Sequence, residues 1–309
     1  MAKKSYRMIP AMILFCFALT VPAASGLAKS PVKKVSYRHS TNSVIEKNPQ
    51  KLVIRSAAAL VEDQRTGEYL IEKQASAVVP IASITKLMTA MVVLDAEINL
   101  NESLTIETKD MDTLRHSHSR LPVGSHITRG DALLIALMSS DNRAASVLGR
   151  TFPGGSAACV AAMNAKAKSL GLAETHFVDS TGLSGRNVSS ARDLAKLVDA
   201  AYKYDLIREF TTCKQASIHN GRRYLAFHNT NRLIQNPRWQ IGLSKTGFIG
   251  EAGRCLVMQA RVAQRPVLIV LLDSQGRLTR VGDANRIKQW LEGPSVQRTR
   301  KGEDYFKNS

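Results

Sequence analysis

The sequence has little from which to build a metal centre. Its 309 residues include four cysteines and seven histidines, and the cysteine spacing matches no metal site. His116, His118 and His126 lie close together along the chain, but no cysteine and no convincing set of acidic residues accompanies them. We therefore predict no metal ion and no cofactor.

Aromatic and acidic residues are also scarce. Phe, Trp and Tyr make up 6% of the chain and form no stripe on which bases could stack, so Trp239 and Trp290 are predicted to pack internally. Lysine and arginine number 43 against 25 acidic residues, for a net charge of +18. Because no basic module with base-reading residues is present, we predict no nucleic-acid partner. The positive charge favours peripheral contact with an anionic membrane or with wall polymers. The alternative is that the charge only increases solubility.

Long apolar runs are few, and the first lies near the N-terminus. After three basic residues, Met8–Val21 is apolar but too short for a typical spanning helix, and small residues then offer cleavage sites after Gly26 or Ala28. Residues 1–28 are therefore predicted to be a cleaved secretory signal peptide, with an uncleaved membrane anchor as the alternative. An exported chain could form at most one disulfide among its later cysteines. These are Cys159, Cys213 and Cys255.

The rest of the chain has an order of strand and helix patterns that predicts an α+β fold. Residues 29–50 are basic and polar without periodicity, which indicates a flexible linker, and residues 294–309 are predicted to be a polar tail. Two strands are predicted early and three late, separated by short turns. Their ranges are 56–63, 68–74, 241–249, 254–262 and 266–273. We predict that they form one five-stranded antiparallel sheet flanked by helices.

The middle of the chain is predicted to be mostly helical, because its apolar residues recur at helical spacing. Two of these helices begin with sequences typical of capping boxes, and their paired residues are Thr128 with Asp131 and Ser190 with Asp193. We predict that residues of about 95–235 form an inserted helical lobe, and that a last helix spans 283–292. A crevice beside such a lobe is where a functional site is expected.

Ser83 and Lys86 open the most apolar helix of the chain. They lie one turn apart and side by side, and between Leu87 and Leu94 only Thr89 is polar, which is typical of a buried helix. A serine hydroxyl is a poor nucleophile unless a base takes its proton. Burial and the helix dipole both lower the pKa of a lysine toward that role. The alternative is an N-cap serine beside a lysine that extends to water.

Two further short motifs follow. Ser140–Asn142 occupies a polar turn between helices, from which a hydroxyl and an amide can point into a cleft. The alternative is a helix break capped by these residues. Lys245–Gly247 lies on a predicted late strand, where a lysine and a threonine could bind a carboxylate and glycine lets a substrate backbone approach. The alternative is a strand with an outward lysine.

Together the three motifs are far more specific than any one of them. S-x-x-K, S-x-N and K-T-G begin at Ser83, Ser140 and Lys245, and this set resembles penicillin-binding proteins and class A β-lactamases. The resemblance covers Leu52–Glu292. Three further segments are similar to the low-molecular-mass D-alanyl-D-alanine peptidases, above all to their endopeptidase branch, which cuts peptidoglycan cross-links in the bacterial periplasm. These segments are residues 116–128, 177–195 and 228–234.

The resemblance implies a β-lactamase/transpeptidase-like fold, with the catalytic domain at residues 51–293. It also implies a catalytic role for three side chains. Ser83 would be the acyl-enzyme nucleophile, Lys86 its general base, and Ser140 the relay that passes a proton to the leaving amine.

The resemblance implies substrate-binding roles for the other motif residues. Asn142 would hold the substrate backbone, and Lys245 and Thr246 would bind the substrate carboxylate beside Gly247. The oxyanion hole would use the backbone N–H groups of Ser83 and Phe248. The implied partners are peptidoglycan stem peptides and cross-links, with β-lactams as covalent inhibitors.

The motifs do not separate an endopeptidase from a carboxypeptidase. In both substrates the residue after the scissile bond has a D centre with a free carboxylate. The short stretch after Gly247 favours the endopeptidase branch, because the better-known carboxypeptidases add a C-terminal domain. The alternatives are a D-alanyl-D-alanine carboxypeptidase and, less favoured, a β-lactamase or a catalytically silent wall-binding protein.

Overall fold

The computed structural model describes residues 52–293. Its strands are, in chain order, Ala58–Asp63 (β1), Tyr69–Lys73 (β2), Val79–Pro80 (β3), Ser103–Thr105 (β4), His126–Thr128 (β5), Val188–Ser189 (β6), Gln215–His219 (β7), Tyr224–His228 (β8), Gln240–Ile249 (β9), Gly253–Val262 (β10) and Arg265–Ser274 (β11). Its helices are Thr85–Asp95 (α1), Arg129–Met138 (α2), Asn142–Arg150 (α3), Gly155–Ser169 (α4), Ala191–Tyr202 (α5), Asp205–Thr212 (α6) and Thr279–Glu292 (α7).

The main sheet joins the two ends of the described chain. Its five strands are antiparallel in the order β2-β1-β11-β10-β9, so the sequence prediction of one five-stranded sheet is confirmed. The central strands β10 and β11 are buried on both faces, because each carries a nearly continuous run of apolar residues. In this strand order β9 forms one edge of the sheet. Its residue Lys245 is paired to Val257 of β10.

Helices cover both faces of this sheet. α7 packs on one face against β10 and β11, while α5 packs on the other against β1, β10 and β11. α1 is buried along almost its whole length and contacts α2 through α6. Its largely apolar sequence fits this central position, since the helix is buried on all sides from Thr85 to Val93. α1 thereby holds its first turn rigidly against the sheet edge.

The structure differs from the sequence prediction in several local elements. The middle of the chain contains two antiparallel hairpins as well as helices, β4–β5 and β7–β8. In β7–β8 only Ile218 and Phe227 are buried, so the alternating apolar signal is too short to be recognised. The last helix begins at Thr279, four residues before the predicted start at Asp283.

The helix caps also differ in part from the predicted capping boxes. Thr128 and Ser190 do accept the backbone N–H groups of Asp131 and Asp193, respectively. The carboxylate of Asp193, however, accepts from the loop residues Glu174 and Thr175, rather than closing a box. Contacts with this loop therefore replace the hydrogen bond that the Asp193 carboxylate would make to the N-cap backbone in a capping box.

Several sequence predictions lie outside the described residues. These are the signal peptide at 1–28, the linker at 29–50 and the tail at 294–309. The described residues fall within one unit, 40–309, and no helix among them is long and apolar enough to cross a membrane. The three cysteines of this part of the chain are free thiols.

A buried carboxylate ties the first described residues to α7. Asp283 is fully buried and accepts hydrogen bonds from the backbone N–H of Ser56 at 2.7 Å and from its hydroxyl at 2.6 Å. It also accepts from the backbone N–H of Arg55 and pairs with Arg286. Burial raises the pKa of Asp283, but the hydrogen bonds from Arg55, Ser56 and Arg286 outweigh it, so the pKa is lowered overall.

We predict that Asp283→Ala lowers the free energy of unfolding by about 3 kcal/mol, because it leaves several buried donors without an acceptor. Urea unfolding followed by tryptophan fluorescence measures this change at neutral pH. Glu68→Ala, an exposed acidic residue near the β1–β2 turn, is the control and should shift the value by less than about 0.5 kcal/mol. Equal effects of the two substitutions would contradict the assigned role of Asp283.

Candidate active site

Ser83 lies where the chain turns into α1. It sits in a 3₁₀ turn, Ala82–Ile84, directly before the helix, and the hydroxyl of Thr85 secures that turn by donating to Ala82 O at 2.8 Å. Ala82 has a φ of +50°, in the left-handed region that non-glycine residues rarely adopt. Backbone strain of this kind persists only where the surroundings impose it, and it clusters at functional sites.

Lys86 follows one turn later and points its amine back to Ser83. The side chain is buried, with a relative exposure of 1%. Its Nζ lies 2.9 Å from Ser83 Oγ, 2.7 Å from Asn142 Oδ1 and 2.6 Å from the backbone oxygen of Thr181. The last two oxygens can only accept. A neutral amine therefore donates its two N–H groups to them and keeps its unshared electron pair for the Ser83 hydroxyl proton.

The surroundings of Lys86 shift it toward that neutral form. Burial lowers its pKa to about 8, against the smaller opposing effect of the negative charges on Asp179, Asp141 and Asp112. At pH 7 roughly a tenth of such an amine is unprotonated, which makes Lys86 an effective base.

The carbonyl of Thr181 is held in place by an acidic turn. The carboxylate of Asp179 accepts from the backbone N–H groups of Thr181 and Gly182 and from the side chain of Asn187. Burial raises the pKa of Asp179, but these bonds outweigh it, and the net change is a lowered pKa. At Gly182, with a φ of +79°, an added Cβ would lie 2.1 Å from Ala82 O. Only glycine allows this turn to approach Ala82 and Ser83 so closely.

Ser140 and Asn142 lie at the junction of α2 and α3. The N-cap of α3 is Asp141, which accepts from Ala144 N at 3.0 Å, so Ser140 and Asn142 are free for other contacts. Ser140 has a φ of +60° and its hydroxyl accepts from Lys245 Nζ at 2.7 Å. The structure thus places Ser140 on Lys245, and Asn142 on Lys86.

Lys245 is the second buried lysine of the site and comes from the edge strand β9. Burial, together with the positive charges of Lys86 and Arg280, holds its pKa well below the usual range. The neighbouring Thr246 shares a short hydrogen bond of 2.6 Å with the hydroxyl of Thr230. Both side chains of the predicted carboxylate site are therefore buried, and the alternative of an outward lysine is wrong.

Gly247 brings β9 against the turn that holds Ser83. An added Cβ at this position would lie 2.8 Å from Ile81 O and 3.2 Å from Ser83 N, so any side chain would separate the two backbones. Phe248 follows with a largely exposed ring, and the guanidinium of Arg254 stacks 4.3 Å from its centroid. The backbone of β9 at Gly247 is thus packed directly against the turn that carries Ser83.

A strongly basic cavity of about 180 Å³ adjoins Thr246. Four arginines line it, and they are Arg232, Arg254, Arg277 and Arg280. Arg280 donates to the backbone oxygens of Gly247 and Cys255 at 2.9 Å each. No motif of the sequence pointed to Arg280, because it reaches the site from α7. Anions are the ligands that such a cavity favours.

No metal-binding group was found in residues 52–293, where no three His, Cys, Asp or Glu side chains are grouped to hold an ion. His116, His118 and His126 lie in this range. The site holds a serine in contact with a buried lysine, a strand backbone packed against the turn that carries this serine, and an adjoining basic cavity. These groups suit acyl transfer through a serine ester.

A serine paired with a buried lysine, at the edge of a five-stranded sheet flanked by helices, defines a penicillin-recognising serine hydrolase. The structure of a DD-transpeptidase from Streptomyces K15 superposes with a TM-score of 0.72 at 27% identity, covering 80% of this chain and 98% of that one. A family profile described as D-alanyl-D-alanine carboxypeptidase matches residues 44–276. The chain belongs to this D-alanyl-D-alanine carboxypeptidase family, and the resemblance predicted from its motifs is confirmed.

Two curated relatives are named D-alanyl-D-alanine endopeptidase. The protein from Pseudomonas aeruginosa is 44% identical over 292 residues, which is 94% of this chain and 90% of the relative. The protein from Escherichia coli K12 is 46% identical over 245 residues, or 79% of each chain. A carboxypeptidase from Bacillus subtilis is more distant, at 30% identity over 233 residues.

We predict that Ser83→Ala abolishes covalent labelling by a fluorescent penicillin, because no hydroxyl remains beside Lys86 to form the ester. Fluorescence on a denaturing gel measures the label. Ser139→Ala is the matched control, since Ser139 lies in the neighbouring turn and bonds only His228 O by its side chain, and it should be labelled normally. Labelling of Ser83→Ala would show that another residue is the nucleophile.

The acylation rate is also predicted to depend on pH through Lys86. Because the base must be unprotonated and its pKa is about 8, the second-order rate constant should rise with pH and level off above about pH 8. Removing a negative charge near Lys86 lowers its pKa, so Asp112→Asn should move this rise to lower pH. Quenched-flow labelling across the pH range measures both curves, and a rise unchanged by Asp112→Asn would contradict the assignment.

Proposed function

We propose that this protein is an exported serine D,D-peptidase that hydrolyses the D-alanyl–diaminopimelate cross-links of peptidoglycan through an acyl-enzyme at Ser83. The observation that supports it most directly is the amine of Lys86, whose two acceptor-only partners leave its electron pair to Ser83. The two curated endopeptidases, at 44% and 46% identity, support the choice of substrate.

In the proposed acylation, Ser83 Oγ attacks the carbonyl carbon of D-alanine while Lys86 Nζ takes the hydroxyl proton. The bond between this carbon and the leaving nitrogen then breaks, and Ser140 relays the proton that Lys86 has taken to the departing amine. Water attacks the ester in the second half of the reaction and restores the serine. In the resting site the Ser140 hydroxyl accepts a hydrogen bond from Lys245. Lys245 would therefore take part in the proton relay to the leaving amine.

The backbone N–H groups of Ser83 and Phe248 are proposed to stabilise the oxyanion. Support comes from Gly247, which keeps β9 close to Ser83 N, because donors fixed before the reaction need no rearrangement in the transition state. Asn142 Nδ2 uses one N–H on Ser117, and its second is available to a substrate carbonyl.

The free carboxylate of the residue after the scissile bond is proposed to bind at Lys245 and Thr246. Thr246 lines the basic cavity together with Arg280, and Lys245 lies directly before Thr246 in β9, buried, with its amine bonded to Ser140. A β-lactam offers a strained amide and a carboxylate in a similar arrangement, so it would acylate Ser83 in the same way and block the site.

The cellular setting is part of the proposal. Cross-linked peptidoglycan lies outside the cytoplasmic membrane, so the enzyme must be exported, and the signal-peptide pattern at 1–28 supports a periplasmic location. The net charge of +18 supports peripheral contact with anionic wall polymers or lipid head groups. Such contact would hold the enzyme near its polymeric substrate.

A carboxypeptidase that trims stem peptides is the second candidate. The family description itself, D-alanyl-D-alanine carboxypeptidase, favours this activity. Both reactions place the same carboxylate on Lys245 and Thr246, so the catalytic chemistry is common to them. They differ only in what is attached beyond the leaving amine.

The deciding experiment is digestion of purified cross-linked muropeptide dimers, with the products resolved by mass. We expect conversion of dimers into monomers by the wild-type enzyme and none by Ser83→Ala. Pentapeptide monomers are supplied in a parallel reaction. Loss of only the terminal D-alanine, with the dimers intact, would identify a carboxypeptidase and contradict the proposed substrate.

A further inference from the structure

The basic cavity beside Thr246 lies on the face of the main sheet that α7 covers. Thr246 and Phe248 are two residues apart on β9, and Arg254 is the partner of Phe248 on β10. The three side chains therefore share one face of the sheet. Leu256, the partner of Thr246, packs on this face in the same apolar cluster as Ala284 of α7. The cavity is thus a feature of the sheet edge and of the start of α7 together.

Four arginines from separate parts of the chain surround this cavity. Arg254 comes from β10, Arg277 from the loop after β11, Arg280 from the first turn of α7 and Arg232 from the 3₁₀ turn Arg232–Gln235. Among the described residues, no acidic side chain lines the cavity, and none of the four arginines takes part in an ion pair. The cavity therefore concentrates positive charge that these residues do not neutralise.

This concentration of charge sets the four arginines apart from others in the same fold. Arg150 is paired with Asp110, and Arg286 with Asp283. At the cavity, burial lowers the pKa of Arg280, and the positive charge of Arg254 lowers it further. Repulsion among like charges is unfavourable, and a bound anion would relieve it.

We propose that Arg254 and Arg277 bind further carboxylates of the leaving stem peptide when the enzyme cuts a cross-link. These arginines would then be specificity-determining residues, which favour a cross-link over a stem that ends in a single D-alanine. The inference rests on the proposed function and deepens it, because it assigns residues to the part of the substrate beyond the leaving amine.

The two candidate substrates differ in the charge of the group that leaves. A carboxypeptidase releases one D-alanine, whose single carboxylate is the one proposed to bind at Lys245 and Thr246. A cross-link releases a diaminopimelate residue that belongs to a second stem peptide. That peptide carries further carboxylates, on its D-glutamyl residue and at its C-terminus. Once the first carboxylate is bound, only the cross-link still has negative charge to place.

Arg280 already has a structural task at the cavity. Its Nη1 donates to the backbone oxygens of Gly247 and Cys255, so it ties α7 to two strands of the sheet. Replacing Arg280 would disturb the strand that packs against Ser83. The selectivity for a charged leaving group is therefore assigned to the other arginines.

Arg254 and Arg277 have guanidinium groups that are available to a ligand. Within the described part of the chain, no hydrogen bond occupies either group. The guanidinium of Arg254 stacks 4.3 Å from the centroid of the Phe248 ring, which orients the group and leaves its N–H edges for a carboxylate. Arg277 and Leu278 line the cavity and are exposed. A peptide bound at this end can therefore continue into solvent, as a polymeric substrate requires.

The test compares the cleavage of two cross-linked muropeptide dimers. One dimer has free carboxylates, and in the other the carboxylates of the leaving stem peptide are amides, except the one beside the scissile bond. We expect a higher kcat/KM for the free-acid dimer in the wild type. In Arg254→Gln and in Arg277→Gln this preference should fall about fivefold, between the effect of an exposed ion pair and that of a charge-assisted hydrogen bond.

Arg238→Gln is the matched control, because it removes an exposed arginine that does not line the cavity, and it should keep the preference. Arg277→Lys retains the positive charge and should retain most of the preference. Covalent labelling by a fluorescent penicillin verifies that each variant is folded.

An equal loss of rate on both dimers in Arg254→Gln and Arg277→Gln would indicate displaced structure and overturn the proposal. If the wild type cleaves dimers and both variants keep its preference, this inference fails and the proposed function stands. A wild-type enzyme that leaves both dimers intact and removes only a terminal D-alanine would overturn the proposed function, and this inference with it.

Discussion

The arrangement depends on how one buried amine is surrounded. Lys86 Nζ meets a hydroxyl, a side-chain amide oxygen and a backbone oxygen, all within 2.9 Å. All three oxygens can accept a hydrogen bond from an ammonium group. From a neutral amine the amide oxygen and the backbone oxygen still accept, while the hydroxyl instead donates to the unshared electron pair. The same site therefore accommodates both protonation states without moving an atom far. Burial then sets the balance between them, because it opposes the charge.

Each partner of that amine comes from a different part of the chain. The hydroxyl comes from the turn before α1, the amide from the start of α3 and the carbonyl from the acidic turn around Asp179. A residue with a positive φ lies close to each of these partners in the chain. These residues are Ala82 before the hydroxyl, Ser140 before the amide and Gly182 after the carbonyl. The packing of α1 among five helices provides the rigid support that such strained conformations require.

The sequence predicted the side chains that carry chemistry better than those that orient them. A helix that is apolar except for Thr89 after Ser83 and Lys86 indicated burial, and the five strands followed from runs of apolar residues. The Thr181 carbonyl was not predictable, because any residue has a carbonyl and only the fold aims it. Ser117 gave no signal either, since a serine in a polar loop is ordinary. The β7–β8 hairpin was missed because it buries only one residue on each strand.

The two buried lysines have separate proposed roles. Burial lowers the pKa of both, and the positive charge of Lys86 lowers the pKa of Lys245 further. In the proposed function, a substrate carboxylate at Lys245 and Thr246 would favour a proton on Lys245, because an opposite charge stabilises the ammonium form. The proposal therefore assigns the anion to one lysine and the role of base to the other.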